Sequence, residues 1–485
     1  IALLEKINRE NPDSFDIIRV DRYEQAWEKI LHKSAIALDG SVLYLPYRCS
    51  HELRQIRDDF VGPKTNNLID YQGFVLDELN MIYNTVETLN QSPLIIRDFQ
   101  FNSDNDYNAV ICASGPSLDE SLGQIKELSK TSLVFASGSS YETLLKHGIN
   151  VDYVCINERS VETFTDFERT RSLYGEDNST LVMSSTCPYQ LLDLFRSTIV
   201  YFRPALSPLA LFARNNDEVL YHEGPEAVNT SLAFALRLNP KAVFFVGVDL
   251  GSSSTEKIRS QDASGTTKRT MELTVKGNKK NEAYSTKTLI DTKLALEILI
   301  TSNQDSISFF NYSDGIYIEG AQPLFDNDFE KLPIDIVSKT PLNSKSKELL
   351  ANKLASLSSP YSPEILSDMW KACDSRNSVR TLAVSLNSLI NQSADLDKTF
   401  CIKAQELIDL VKAPKYSQIG RRIFRSAITR ATLLILQQKR IIDFNCSHKK
   451  NVYIKHAKIS LLALVSKLEN DCYMLFDRLD QEFFS

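Results

Sequence analysis

The sequence predicts an α/β protein whose central part folds around a mostly parallel sheet, with a small α/β domain before it and an all-α domain after it. Between about residues 105 and 325, short apolar runs alternate with turn-rich loops and amphipathic helices, which is the pattern of βαβ units. After about residue 335 the strand signal disappears, and apolar residues recur at helical spacing, as at Leu461, Leu462 and Val465. These observations predict domains at residues 1–95, 96–335 and 336–485.

Composition narrows the class of protein. The 485 residues are 43% hydrophobic and 24% charged, which suits a globular chain with more than one core, and the net charge of −7 disfavours a nucleic-acid binder. No apolar run reaches the roughly 18 residues of a membrane span and no basic-then-apolar leader is seen, so we expect a cytoplasmic protein. The eight cysteines form no CxxC pair and the six histidines show no ligand spacing, so we expect reduced thiols and no metal site.

The elements can be placed in order along the chain. Residues 74–89 have helical spacing near the end of the N-terminal part. Ligands of parallel α/β sheets bind beyond the carboxyl ends of the strands, so the residues that follow each strand are the candidates for a site. The strand candidates are residues 108–113, 132–136, 153–156, 181–184, 198–202, 242–246 and 306–310.

The first strand ends in the tight turn Ser114-Gly115-Pro116-Ser117. Gly115 lets the backbone turn sharply and lets a ligand approach, Pro116 suits the first turn of a helix, and Ser117 can cap free amides. A helix starting near Leu118 would then offer N–H groups to a phosphate. The turn is neither GxGxxG nor a P-loop, and an ordinary βα turn is the alternative interpretation.

Polar residues follow three further strands. Gly138 lies in a small polar loop after the second strand, and the third runs directly into Asn157 and Glu158. A side-chain amide suits the edge of a nucleobase, and a carboxylate there can act as acid, base or hydroxyl ligand. Asp249 stands at the carboxyl end of the strand 242–246, where it could hold a hydroxyl or cap a loop. The alternatives are a solvated loop, a surface ion pair and a structural cap.

A Gly-Pro turn precedes a helix of small residues that begins near Val228 and Asn229, and its first amides are further donors for an anion. His222 is the one histidine in a loop adjoining this candidate site, with a surface histidine as the alternative. Residues 251–285 are polar and are predicted to form a long loop, either a functional lid or a disordered segment.

These segments, in this order and spacing, resemble the motility accessory factor family of flagellin glycosyltransferases. The central domain of that family is similar to Rossmann-like bacterial sialyltransferases that use CMP-activated nonulosonic acids. The resemblance covers roughly residues 100–325, and the helical part fits the architecture of the family. The matching pieces are Ser114 to Leu118, Asp152 and Tyr153 with Glu158, Val228 to Ala235, residues 247–250, residues 277–278 with Thr286, Asn311, and residues 314–315 and 318–320.

The resemblance implies transfer of a pseudaminic- or legionaminic-type acid from its CMP-activated donor to Ser or Thr of flagellin, as needed for flagellum assembly and motility. It implies that Ser114, Gly115 and Ser117 contact the cytidine monophosphate, with Gly138 and Asn157 near the ribose and base. Tyr284 and Lys287 fall where lid residues of the related enzymes contact the phosphate. No DxD-like acidic pair follows a central strand, so we expect metal-independent chemistry with no cofactor besides the donor substrate.

The acceptor would be a protein. Residues 411–458 contain twelve Lys and Arg but one acidic residue, which predicts a basic surface for an acidic acceptor or sugar nucleotide; a solvated helix face is the alternative. Aromatic residues are not interleaved with these cations, which disfavours nucleic acid. The oligomeric state is left open.

Two features depart from the family pattern. Glu226 and Ala227 stand where a small Gly-Ser or Gly-Thr pair is common, and residues 251–305 contain no histidine, although the related sialyltransferases carry their general base there. Glu158, Asp249 or His222 is then the candidate base, or the chemistry differs. The competing hypotheses are a non-catalytic flagellin-binding or export accessory protein and a phosphotransferase related to the pterin pyrophosphokinases, which share the Gly-Pro-Ser-Leu turn.

Overall fold

The computed structural model describes two compact units. One contains the described residues between Asn80 and Trp370, and the other contains those up to Leu79 and from Lys371 onward. Most of the predicted domain 1–95 lies outside the described residues. No helix within the described ranges is long and apolar enough to cross a membrane. Those ranges are residues 74–97, 107–175, 178–204, 206–254, 257–265, 270–325, 342, 344–392, 396–413, 418–445 and 450–484.

A ten-stranded sheet is the frame of the unit between Asn80 and Trp370. In chain order its strands are β1 (Leu94–Ile95), β2 (Asn108–Cys112), β3 (Ser132–Ser137), β4 (Tyr153–Ile156), β5 (Thr180–Ser184), β6 (Ser197–Tyr201), β7 (Ala242–Val246), β10 (Ser308–Asn311), β11 (Gln322–Pro323) and β12 (Ser359–Pro360), with β8 (Leu273–Lys276) and β9 (Glu282–Ser285) forming a separate antiparallel hairpin. Its central strands, β2 to β7, are short apolar runs that are buried along most of their length, as expected for a parallel sheet covered on both faces.

The spatial order of the large sheet is β11-β10-β7-β2-β3-β4-β5-β6-β1-β12. Every neighbouring pair is parallel except β1 and β12. The chain therefore moves outward from β2 through β3, β4, β5 and β6, and later fills the other side through β7, β10 and β11. This confirms the predicted α/β fold with a mostly parallel sheet, and it puts the reversal of strand order between β2 and β7.

Helices connect the strands and account for most of the chain beyond them. In chain order they are α1 (Val75–Asn90), α2 (Leu122–Leu128), α3 (Ser140–Lys146), α4 (Val161–Tyr174), α5 (Ser207–Phe212), α6 (Ala227–Arg237), α7 (Lys287–Asn303), α8 (Ser344–Leu357), α9 (Pro363–Ala372), α10 (Ser375–Gln392), α11 (Leu396–Lys412), α12 (Gln418–Asn445) and α13 (Lys450–Phe483), with short 3₁₀ helices at Pro116–Leu118, Tyr189–Leu194 and Asn216–Glu218.

Helix α6 is the most deeply buried of the central helices. It packs against β2, β3 and β4, and its residues from Val228 to Leu236 are buried. The small side chains predicted from the sequence explain this, since they let the helix approach the sheet closely. Phe234 anchors it by packing edge-on to Phe135 of β3 and Tyr153 of β4, at ring-centroid distances of 6.4 and 5.3 Å.

The helical C-terminal region is also present. In the second unit, α11 packs on α12, and α13 packs on α10 and α12, with apolar residues such as Ile423, Ile428 and Val465 buried between them. Residues 344–370 lie instead in the unit of the sheet, where β12 pairs with β1 through Leu94 and Pro360.

The polar segment 251–285 differs from the predicted loop. It contains the hairpin of β8 and β9, whose strands pair from Leu273 and Ser285 to Lys276 and Glu282. Most residues of β8 are exposed, so this strand lacks the continuous apolar run that identifies the central strands.

Candidate active site

A cavity of about 300 Å³ lies at the carboxyl edge of the sheet, where the strand order reverses. Residues that follow four adjacent parallel strands line it, as expected for a ligand site of an open α/β sheet. Helix α4, the start of α6 and residues 258–265 complete its walls. The lining residues are Ala113, Ser114, Gly115, Ser137, Gly138, Ser139, Ile156, Glu158, Thr163, Asp166, Phe167, Glu226, Ala227, Val228, Gly247, Val248, Asp249, Leu250, Gly251, Ile258, Arg259, Ser264, Gly265, Met271 and Leu289.

Asp249 joins the two loops on either side of the strand reversal. Its Oδ2 accepts hydrogen bonds from the Ser117 amide at 3.0 Å and the Ser117 hydroxyl at 2.9 Å, while Oδ1 accepts from the Asp314 amide at 3.0 Å. The carboxylate is 1% exposed. Both oxygens are therefore engaged in holding loops, which makes Asp249 an organiser of the site.

The turn at Ser114–Ser117 differs in two ways from the sequence expectation. The residues after Gly115 form a 3₁₀ turn, Pro116–Leu118, and the α-helix starts only at Leu122. The Ser117 amide and hydroxyl, expected to face a phosphate, are bonded to the Asp249 carboxylate. The Asp249 carboxylate thus occupies the donors that were expected to bind a phosphate at this turn.

Gly115 makes room for that carboxylate. Its φ of −67° is ordinary, so the predicted need for a special backbone conformation is not the reason for glycine. A Cβ at this position would lie 2.0 Å from Asp249 Oδ2 and 2.6 Å from the Gly247 carbonyl oxygen. The absence of a side chain therefore lets the loops after β2 and β7 approach each other.

Burial controls the protonation of Asp249. It raises the pKa of this carboxyl group from its ordinary value near 3.8 to about 6, in opposition to the hydrogen bonds from Ser117 and Asp314, which stabilise the charged form. The group is mostly ionised at neutral pH and takes up a proton in mild acid.

The wall behind Asp249 is a second hydrogen-bonded network. The Asn278 side-chain amide donates to the carbonyl oxygens of Asn311 at 3.0 Å and Ser313 at 2.8 Å, and the Ser313 hydroxyl accepts from the Val248 amide at 2.8 Å. Several pieces of the family resemblance, around residues 277–278, 311 and 314–315, thus meet in one place. Their role in this structure is to hold the loop after β10 against Asp249.

Asn157 and Glu158 are neighbours at the end of β4, but only Glu158 lines the cavity. The Glu158 side chain is also exposed. Asn157 is buried just behind it, where its amide nitrogen donates to the carbonyl oxygens of Glu223 and Pro225 at 3.2 Å each. An ion pair from Arg203 Nε to Glu223 Oε1, at 2.5 Å, fixes the same loop.

The remaining predicted residues fall into two groups. Ser114, Gly138 and Val228 line the cavity, and Ser139 Oγ donates to Ser114 Oγ at 3.0 Å. The structure does not bring the others to the lining: His222 is exposed on the loop before α6, and Asn229 is buried and donates from its side chain to the Thr292 carbonyl at 3.1 Å. Pro116, Tyr284 and Lys287 are likewise absent from the lining.

Residues 257–265, here called the strap, lie within the segment predicted as a lid or a disordered loop, but sequence reasoning named none of them as a site residue. The Ser260 amide donates to the Ser114 carbonyl at 3.0 Å, and the Ser260 hydroxyl donates to Asp119 at 2.6 Å. Asp262 pairs with Lys146 at 2.6 Å and with His147 at 3.1 Å. The strap is thereby fixed to the loop after β2 and to the end of α3, and it brings Arg259 to the cavity.

Acidic side chains predominate in this cavity. Among the described lining residues, Glu158, Asp166, Glu226 and Asp249 are carboxylates, and Arg259 is the basic residue. Within the described ranges, no group of three or more His, Cys, Asp or Glu side chains is placed to hold a metal ion.

Comparisons with known proteins agree with this architecture. Residues 79–255 match a family model described as 6-hydroxymethylpterin diphosphokinase MptE-like. The solved structure of a Maf glycosyltransferase from Magnetospirillum magneticum AMB-1 superposes with a TM-score of 0.80 at 20% sequence identity, covering 99% of this chain and 73% of the other. A search of curated protein sequences found no match. The resemblance to the motility accessory factor family is therefore confirmed at the level of the fold, which is that of a Maf glycosyltransferase.

Proposed function

We propose that this chain is a glycosyltransferase that moves a nonulosonic acid of the pseudaminic or legionaminic type from its CMP-activated donor to Ser or Thr of flagellin. The observation that carries the proposal is the extent of the fold. The likeness to a Maf glycosyltransferase covers 99% of the chain, including the helical region, whereas a sheet domain alone would support only nucleotide binding. The cavity at the strand reversal is the proposed donor site.

The proposed reaction breaks the bond between the anomeric carbon of the sugar and a phosphate oxygen of CMP. The electron pair of that bond leaves with CMP, and the acceptor hydroxyl oxygen forms the new bond to the anomeric carbon. Glu158 is the best-placed base among the three sequence candidates, because it lines the cavity and is exposed. It would take the hydroxyl proton, while buried Asp249 holds the loops and His222 lies off the cavity lining.

The basic residues between 411 and 458 are the proposed contact for the protein acceptor. Those that the structure describes lie in the unit of helices α10–α13, and together these residues counter the overall negative charge of the chain. Attraction of an acidic acceptor surface would raise its local concentration and its rate of association.

A pterin diphosphokinase is the second candidate, because the family model that matches residues 79–255 carries that description. Such an enzyme would transfer a diphosphate from ATP to a hydroxymethylpterin and would depend on Mg²⁺. The match ends before the hairpin of β8 and β9 and the helical unit, so this candidate gives no role to nearly half of the chain.

The test uses the purified full-length chain with either set of substrates. With a CMP-nonulosonate and flagellin, we expect the intact mass of flagellin to increase by one sugar per modified site. Transfer of a diphosphoryl group from ATP to a hydroxymethylpterin in the presence of Mg²⁺, with release of AMP, would instead establish the second candidate. Binding of CMP with no mass change would indicate the accessory protein.

The assignment of Glu158 is tested in the same assay. Glu158→Gln keeps the size of the side chain but removes the base, so transfer should fall by about 100-fold or more while CMP affinity is kept. Glu162→Gln is the matched control, because Glu162 is exposed on α4 and does not line the cavity. Equal transfer rates in the two variants would exclude Glu158 as the base.

A further inference from the structure

We infer that Arg259 of the strap binds the phosphate of the nucleotide in this cavity. The inference rests on the proposed function in one respect, since it takes the ligand to be a nucleoside monophosphate ester. It assigns the phosphate contact to a residue that the family resemblance did not indicate.

The charges of the cavity are the first step. The described lining residues place four carboxylates around a space that must admit an anionic phosphate. A phosphate near carboxylates is repelled unless a cation offsets them, and Arg259 is the basic residue of the described lining. Lys287, expected from the sequence to contact the phosphate, lies at the start of α7 and outside the lining.

The second step is the way in which the guanidinium is held. One of its amino groups, Nη2, donates to the Ser264 carbonyl oxygen, and Nη1 donates to that of Gly265 at 3.4 Å. A guanidinium has five N–H donors in a planar fork, so it can bond the strap and an anion together. Orientation before the ligand arrives reduces the entropy lost on binding.

The third step is the attachment of the strap to the loops after β2 and β3. The Ser260 amide is bonded to the Ser114 carbonyl, and the Ser264 amide donates to the Ser139 carbonyl at 3.3 Å. Arg259 is thus carried on a segment attached to the loops after β2 and β3. These loops line the cavity at the strand reversal, where parallel sheets bind the phosphates of nucleotides.

The experiment compares CMP with cytidine by calorimetry, because the two ligands differ by the phosphate alone. Arg259→Met keeps most of the side-chain volume without the charge. We expect it to bind CMP about 10- to 100-fold more weakly than the wild type, the usual range for loss of a charged hydrogen bond, and to bind cytidine equally well. Arg259→Lys should keep part of the CMP affinity, because it retains a cation but loses the fork.

Lys126→Met is the matched control. Lys126 is exposed on α2, outside the strap and the cavity lining, so CMP affinity should be unchanged. Unchanged CMP affinity in Arg259→Met would overturn the inference and leave the proposed function intact. Equal losses of CMP and cytidine affinity would also overturn it, since they indicate a structural role. A wild-type chain that binds neither ligand would contradict the proposed function itself.

Discussion

At the residue scale, Gly115 is the position where the smallest change should have a large effect. Gly115→Ala adds one methyl group, whose carbon would lie 2.0 Å from Asp249 Oδ2. The loops after β2 and β7 would have to separate, so we expect the free energy of unfolding to fall by at least about 2 kcal/mol. Urea denaturation measures this loss, and CMP calorimetry should show weaker binding.

Gly123→Ala is the control for that substitution. Gly123 lies in α2, and a Cβ there would meet no heavy atom within 4 Å. Alanine is the better helix former, so the variant should be more stable by about 0.5–1 kcal/mol. A similar destabilisation in both variants would mean that contact with Asp249 does not explain the glycine at position 115.

Asp249 should give the stability of the protein a specific pH dependence. Its pKa is about 6 in the folded state and near 3.8 when unperturbed, so the folded state binds more protons between these values. The free energy of unfolding must then fall as the pH rises from 4 through 6, and it stays lower above that window. Asp249→Asn removes this titration.

The measurement compares wild type with Asp249→Asn at pH 4 and pH 7 by urea denaturation. Two pKa units correspond to about 3 kcal/mol, so the stability of the wild type relative to the variant should fall by about 2–3 kcal/mol between pH 4 and pH 7. A constant difference would show that burial does not perturb this carboxyl group. Comparison of the two proteins cancels the other groups that titrate in the same range.

At the element scale, the loop after β10 depends on one side-chain amide of the hairpin. Asn278 is 8% exposed and donates to two carbonyl oxygens. Asn278→Ala should lower the free energy of unfolding by about 2–3 kcal/mol, because both carbonyls lose a buried donor. CMP affinity should also fall, since the Asp314 amide that bonds Asp249 lies on that loop.

Asn281→Ala tests whether the loss is specific to the buried amide. Asn281 lies in the same turn between β8 and β9, but it is exposed, so its substitution should change stability by less than about 0.5 kcal/mol. Differential scanning calorimetry of the two variants compares them directly. Equal melting temperatures of the two variants would show that the Asn278 side chain does not stabilise the loop after β10.

The elements also show which features the sequence could predict. All seven predicted strands are present within two residues at either end, because buried parallel strands are continuous apolar runs. The cavity was predictable from the loops after β2, β3, β4 and β7, since parallel strands present these loops at one edge. The hairpin of β8 and β9 was missed, because its exposed strand has a composition typical of a loop.

The contacts within the site were not predictable for a different reason. The contact of Ser117 with Asp249 joins residues 132 positions apart, and that of Ser260 with Asp119 joins residues 141 positions apart. A local pattern shows that Ser117 can donate and that Asp249 can accept, but not that they meet. Local reasoning therefore gave Ser117 to the ligand and left Asp249 as a hydroxyl ligand, a base or a loop cap, without predicting that the fold pairs the two residues.

At the scale of the whole molecule, the sheet unit and the helical unit have separable tasks in the proposed reaction. The cavity is formed within the sheet unit, and the described basic residues between 411 and 458 lie in the helical unit. A change confined to the basic residues should therefore alter use of the protein acceptor and leave the donor site unaffected.

The double substitution Arg425→Glu and Lys455→Glu makes this prediction testable, because both side chains are exposed. Transfer to flagellin should slow by about two-fold to ten-fold at low salt, through a higher KM for the acceptor, and the difference should shrink as salt screens the charges. CMP affinity should be unchanged.

Lys126→Glu with Lys353→Glu is the control, because it alters the net charge equally at exposed positions of the sheet unit; it should leave the acceptor KM unchanged. If both double variants raise the acceptor KM equally, net charge governs the encounter and the helical unit has no specific acceptor surface.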